Sequence, residues 1–138
     1  MSRSAALLLF LAGLFGALGV ATAAAAAHVA NDPRLQTAAL FLMLHGAALF
    51  GAVGTTRAFR LGPIMHWPMW IMAAGVVLFC GDLVVRVKAG ASPLPVAAPI
   101  GGSLIILGWL GLAFGAALGG VDRTPRVRRK DAERETAP

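Results

Sequence analysis

His45 is the residue most able to do chemistry in this sequence, because it is the single strongly polar side chain inside an apolar run of about twenty residues. Ten residues into that run it lies near mid-membrane depth, where an imidazole must find a partner, and where ionisable groups often mark proton or ligand paths. Helical spacing puts Arg34, Ala38, Phe41, Ala48 and Ala52 on its stripe. Three alanines there predict a face turned to a neighbouring helix, with His45 buried and neutral at pH 7, hydrogen-bonded to a carbonyl or hydroxyl of an adjacent helix. Asp82 is the only acid within any apolar run, and Arg86 follows four residues on, in the favourable acid-before-base order. That spacing predicts a local ion pair; the sharper reading makes Asp82 a proton carrier that Arg86 keeps ionised. His28 ends the first apolar run and is expected near Pro99, Gly101 and Gly102, but about 15 Å from the depth of His45.

Other combinations are weaker. Met65, His66, Met69 and Met72 carry soft sulfur and imidazole suited to a cuprous ion, yet methionine in a membrane helix ordinarily packs, and no metal site is expected. The lone cysteine, Cys80, excludes a disulfide scaffold and a thiolate cage, and reads as a small buried apolar residue. No nucleophile and base pair, phosphate loop or carboxylate pair is present, so neither an enzyme nor a cofactor is expected. The membrane-embedded glutamate on which small four-span drug exporters rely is missing from the first run.

The elements that position these residues follow from composition. The 138 residues are 58% hydrophobic and 13% charged, with a mean hydropathy of +0.77. A soluble domain carries roughly a quarter charged residues, and no charge occurs here from Leu35 to Thr56 or from Ala89 to Val121. Four runs reach the length of about 20 residues that a ~30 Å hydrocarbon core requires. They cover residues 5–27, 35–54, 68–87 and 96–119. The third is expected to open at Pro68, and the fourth to stop at Gly119-Gly120. Continuous apolar runs lack the alternation of barrel strands, so the fold class is all-α, an integral membrane four-helix bundle comprising residues 1–121. The remainder, 122–138, with two prolines and ten charges, reads as a disordered basic tail.

Basic residues set the orientation. Four spans put nine Lys and Arg on the side of the two termini and three on the other, which predicts both termini in the cytoplasm of a bacterial inner membrane. Trp67 and Trp70 fall at the matching interfacial belt. The first run also resembles a signal peptide, with Arg3 before it and an Ala-Thr-Ala-Ala stretch near its end. Its length, and a small-residue face made by Gly13, Gly16, Ala17, Val20, Ala24 and His28, predict instead a helix that packs and stays. Gly111, Gly115 and Gly119 recur every fourth residue, three after Gly108, and are expected to allow close helix packing within the bundle or between copies. Arg126, Arg128, Arg129 and Lys130 suit anionic lipid. The acids interleaved in that tail argue against nucleic acid.

Several segments together resemble a known family. Ala26-Ala27-His28-Val29 is similar to the Gly-Ala-His segment that ends the first span of the YgdD-like small membrane proteins, domain-of-unknown-function family four-two-three. Gln36 with His45 resembles its second span. Leu78-Phe79-Cys80-Gly81-Asp82-Leu83 resembles its Leu-Phe-Ser-Gly-Ser-Leu, and Ala98-Pro99-Ile100-Gly101-Gly102 with Gly108-Trp109 its Thr-Pro-hydrophobic-Gly-Gly turn and Gly-Trp pair. Cys80, Asp82 and Ala98 depart from the family's hydroxyl residues. The resemblance implies a four-helix membrane protein without an established activity. The residues and the resemblance together point to a structural or accessory component that sits in the bilayer with a membrane-protein partner or a second copy. The alternative is a conduit or carrier for protons or a small solute, using His45 and Asp82.

Overall fold

The computed structural model describes residues 2–59, 61–90 and 95–121, with side-chain surroundings up to 118. Four helices follow one another: α1 (Arg3–His28), α2 (Pro33–Ala58), α3 (His66–Ala89) and α4 (Ala97–Val121). All four are long and apolar enough to cross a membrane. The starts of α1 and α2 have a local cause. Ser2 Oγ accepts from the Ala5 amide at 3.2 Å, and Asp32 Oδ1 accepts from the Arg34 amide at 2.8 Å, satisfying amides that have no partner within the helix. Pro33 occupies the first position of α2, where no N–H is needed. This Asp-Pro cap begins α2 two residues ahead of the expected start, and the helix runs on past Gly54 to Ala58.

Two further expectations are corrected. A single 3-10 turn, Pro63–Met65, precedes α3, so Pro68 lies inside the first turn and does not open the helix. At the other end of α3, Gly90 adopts φ 74°, a left-handed cap that a side chain would strain. The fourth helix does not stop at Gly119-Gly120, because it is helical through both to Val121; glycine permits a stop but does not impose one where the i→i−4 ladder shields the backbone from lipid. The residues beyond it, including the expected tail, and Arg60 lie outside the described residues.

Packing follows the size of the side chains. Along α1 the buried positions are Ala5, Leu8, Ala12, Phe15, Gly19 and Ala26, a heptad seam of the kind that packs at a shallow crossing angle. On α2 the matching seam includes Leu35, Ala38, Leu42, His45, Leu49 and Val53. A Cβ on Gly46 would lie 2.9 Å from the Ala12 carbonyl oxygen, and one on Gly19 3.0 Å from the Met43 amide nitrogen. As numbers rise along α1 they fall along α2, so the pair is antiparallel. Most of the small face expected to pack, Gly13, Ala17, Val20, Ala24 and His28, is turned outward instead: Val20 is 62% exposed and nothing lies within 4 Å of a Cβ placed on Gly13, whereas the Gly16 amide nitrogen does lie 3.2 Å from a Cβ placed on Gly46. Lipid solvates apolar side chains as well as the interior does, so the faces are distinguished by fit: Leu8 and Phe15 alternate with Ala12 and Gly19, which let the α2 backbone approach.

The second hairpin is closer still. Gly101 of α4 sits on Gly75 and Phe79 of α3, Gly108 on Met72, and Gly111 on Pro68. Met69, Met72 and Val76 are fully buried between the hairpins with Leu8, Leu49 and Val53. The hairpins join chiefly through α2 and α3, while α1 meets α3 sparingly and has no substantial contact with α4 among the described pairs. Outward faces are apolar throughout, as with Phe10, Leu40, Phe50, Ile106, Phe114 and Leu118, a surface that lipid solvates and water would not.

Candidate functional site

His45 lies midway along α2 and Trp109 midway along α4, and the two side chains meet there. His45 is 2% exposed. Its Nδ1 lies 2.8 Å from the carbonyl oxygen of Phe41, one turn back on its own helix. Its Nε2 accepts a hydrogen bond from Trp109 Nε1 at 3.3 Å. A carbonyl can only accept and an indole N–H can only donate, so together they select the neutral Nδ1–H tautomer. An imidazolium would set a second N–H against the indole donor. Phe41 stacks on the imidazole with centroids 5.4 Å apart and touches Phe79 of α3 at 4.7 Å. The ring is therefore held between α2 and α4, and Phe41 links it to α3 through Phe79.

The sequence placed His45 at this depth but expected its carbonyl on an adjacent helix. The carbonyl is on α2 itself, and the partner across the helices is an indole. In the sequence Trp109 stands out only as part of a Gly-Trp pair. An indole N–H at mid-depth needs an acceptor as much as an imidazole needs a donor, and that complementarity is the signal from which the pair could have been read.

Asp82 lies in the part of α3 nearer its carboxyl end, with its side chain 2% exposed. Arg86 Nε donates to its Oδ2 at 2.7 Å, the spacing expected from the i,i+4 pattern. Arg86 also reaches the Pro95 carbonyl oxygen at 3.5 Å, tying the end of α3 to the approach of α4. The hydroxyls in the spans turn back onto their own helices: Thr22 donates to Leu18, Thr56 to Ala52 and Ser103 to Pro99 carbonyl oxygens. Trp70 Nε1 donates to Ser4 Oγ at 2.9 Å, bringing the starts of α1 and α3 to one end. Among the described residues no buried side-chain nitrogen or oxygen lacks a partner.

The remaining candidates do not converge. His28 is exposed at the last position of α1, a helix without substantial contact with α4 among the described pairs. Pro99, Gly101 and Gly102 form no turn; they lie in the first two turns of α4, where Pro99 needs no amide partner and Gly101 gives α3 its close approach. Gly111 and Gly115 face Pro68 and Met65, on the α3 side. Gly119 is helical, and its surroundings lie outside the described residues. Met65, Met69 and Met72 are buried in packing contacts, and no three His, Cys, Asp or Glu side chains converge among the described residues. Cys80 is buried, with Sγ 3.6 Å from the Ala38 carbonyl oxygen.

The architecture is that of a small multi-pass helical membrane protein in which, among the described residues, the buried polar side chains find hydrogen-bond partners within the fold. The family model described as "Protein of unknown function (DUF423)" matches residues 12–102, and the chain belongs to that family. It is 30% identical to a UPF0382 membrane protein of Staphylococcus saprophyticus over 105 residues, 75% of this chain and 82% of the relative. A UPF0382 membrane protein of Staphylococcus epidermidis is 29% identical over 115 residues, 77% and 91% of the two chains. A third, from Staphylococcus aureus, is 32% identical over 77 residues, 54% of this chain; the match spans only 60% of that relative's length. No solved structure matches.

Proposed function

We propose that this protein is a non-catalytic structural or accessory component of the bacterial inner membrane, with both termini in the cytoplasm, acting beside a membrane-protein partner or a second copy. The observation that carries the reading is the closure of His45. Both ring nitrogens are occupied, by the Phe41 carbonyl and the Trp109 indole, and Phe41 covers a face of the ring. An imidazole held in this way fastens α2 to α4 and is poorly placed to exchange protons along a path. The orientation is supported by the nine to three distribution of Lys and Arg and by exposed Trp67 near the start of α3.

The competing carrier reading needs His45 and Asp82 to share a route. They face different partners, one on α4 and one on its own helix, and the grooves between the helices are lined almost entirely by apolar side chains. The test is affinity capture of the full chain in a mild detergent, with mass spectrometry of co-purifying proteins and small molecules, repeated with His45→Leu. An accessory protein retains the same partner in both. Proton or solute flux into proteoliposomes that His45→Leu abolishes would overturn the proposal.

A further inference from the structure

Between α1 and α3, at the end of the bundle opposite the chain termini, the helices leave a groove of about 390 Å³. Small side chains on α1 cause it: Ala21 and Ala25 cannot reach across to Val84 and Val87 of α3. Leu18, Thr22 and Val84 also line a second depression of about 380 Å³ that continues inward to Phe15 and Val77 over a floor made by Leu42 of α2. Inward of Lys88, which stands at the mouth, the hydroxyl along this path is that of Thr22, and it is tied to the Leu18 carbonyl. Beyond Val77 the walls change, with Leu104 of α4 replacing the α2 floor.

Length and charge identify the occupant. Val77 is midway along α3 and Lys88 lies at the outer mouth, eleven residues apart, or about 16 Å at 1.5 Å per residue. Half of a ~30 Å hydrocarbon core is about 15 Å. The groove is thus one leaflet deep, which suits an acyl chain and not a transmembrane helix that would cross the whole bilayer. Three basic side chains lie at this end of the bundle. Arg34 is closed on Asp32 and Arg86 on Asp82, whereas Lys88 has no ion pair among the described residues and sits where a lipid phosphate would lie. We propose that this groove is a binding site for one anionic phospholipid of the leaflet opposite the termini, with an acyl chain between α1 and α3 and its phosphate on Lys88. The proposal goes beyond the accessory reading and needs only the membrane-spanning fold.

The test is native mass spectrometry of the delipidated full chain in detergent, titrated with phosphatidylglycerol and, separately, with phosphatidylcholine of the same chains. One phosphatidylglycerol per chain is expected, held about fivefold more tightly than phosphatidylcholine, the contribution of a single basic residue near an anionic headgroup. Lys88→Gln, at an exposed position, should erase that preference and leave the weaker binding of both lipids. Ala25→Leu should fill the groove and weaken both, with circular dichroism confirming that the helices persist. Glycerol phosphate, which has no acyl chain, should not compete. Equal binding of the two lipids by the wild-type chain, a preference that survives Lys88→Gln, or full competition by glycerol phosphate would overturn the proposal. So would unchanged lipid binding by a folded Ala25→Leu chain.

Discussion

Replacing Gly101 by Ala and, separately, Gly102 by Ala tests how α3 and α4 are held. A Cβ at Gly101 would lie 2.6 Å from the Phe79 amide nitrogen, 2.8 Å from the Gly75 carbonyl oxygen and 2.9 Å from the Phe79 Cα. All three are backbone atoms, so no side chain can swing aside and the helices must part by the better part of an ångström. The contact works in both directions, since a Cβ on Gly75 would meet the Gly101 carbonyl oxygen at 2.7 Å and the Ile105 amide nitrogen at 2.8 Å. Overpacking of this kind costs about 1–3 kcal/mol. A Cβ at Gly102 has nothing within 4 Å. Both substitutions gain up to ~1 kcal/mol in helix propensity, and because that gain is shared, the gap between the two variants isolates the contact. Unfolding in mixed micelles with increasing SDS, followed by far-UV circular dichroism, should place Gly101→Ala below Gly102→Ala by about 1–3 kcal/mol. Equal stability of the two, or the reverse order, would refute the account of the α3 and α4 contact.

Further outcomes are expected in the same assay. Trp109→Phe, which keeps the ring and removes the donor to His45, should lower stability by about 0.6 kcal/mol and at most ~1.7 kcal/mol, the range for hydrogen bonds between membrane helices. His45→Leu should be similarly mild and still insert, whereas His45→Lys, which buries a charge without a partner, should be markedly worse. Arg86→Ala removes the cation bonded to a buried carboxylate and should cost on the order of 3 kcal/mol, with much of that loss recovered by adding Asp82→Asn. Gly115→Ala should be tolerated better than Gly111→Ala, because it meets the flexible thioether end of Met65 where Gly111 meets the ring of Pro68; deletion of residues 126–138 should be milder than Gly111→Leu.

The four spans were legible because length and apolarity alone bring a helix into the bilayer, and the Asp82 and Arg86 pair because its partners are four residues apart on one helix. Which face of each helix turns inward was not legible. In a soluble helix, hydropathy separates inside from outside, but lipid makes Leu14 and Leu18 as acceptable outside as Leu8 is inside. Only the sizes of the side chains distinguish the faces. On α1 the stripe of small residues from Gly13 to Ala24 looks like the contact, yet Leu8, Ala12, Phe15 and Gly19 are the buried seam. The contact between Gly75 and Gly101 is hidden for the same reason: Gly101 stands out only within a motif, neither glycine belongs to a long stripe, and each matters because the other lies opposite. At His45 the depth and the need for a partner could be read from the span. Trp109 could not, because the two residues stand 64 positions apart and are brought together only by the order in which the hairpins pack.

The central claim is that the intramembrane histidine is a fastening between helices, held neutral by one donor and one acceptor. Nitrogen-15 NMR of the His45 ring in lipid bilayers at pH 7 tests it most directly, with the other two histidines, His28 and His66, replaced to isolate the signal. The geometry predicts a protonated Nδ1 and an unprotonated Nε2, with the Nε2 resonance shifting when Trp109 becomes Phe. A protonated Nε2, whether in the other neutral tautomer or in an imidazolium, would contradict the pairing and return His45 to the candidates for proton transfer.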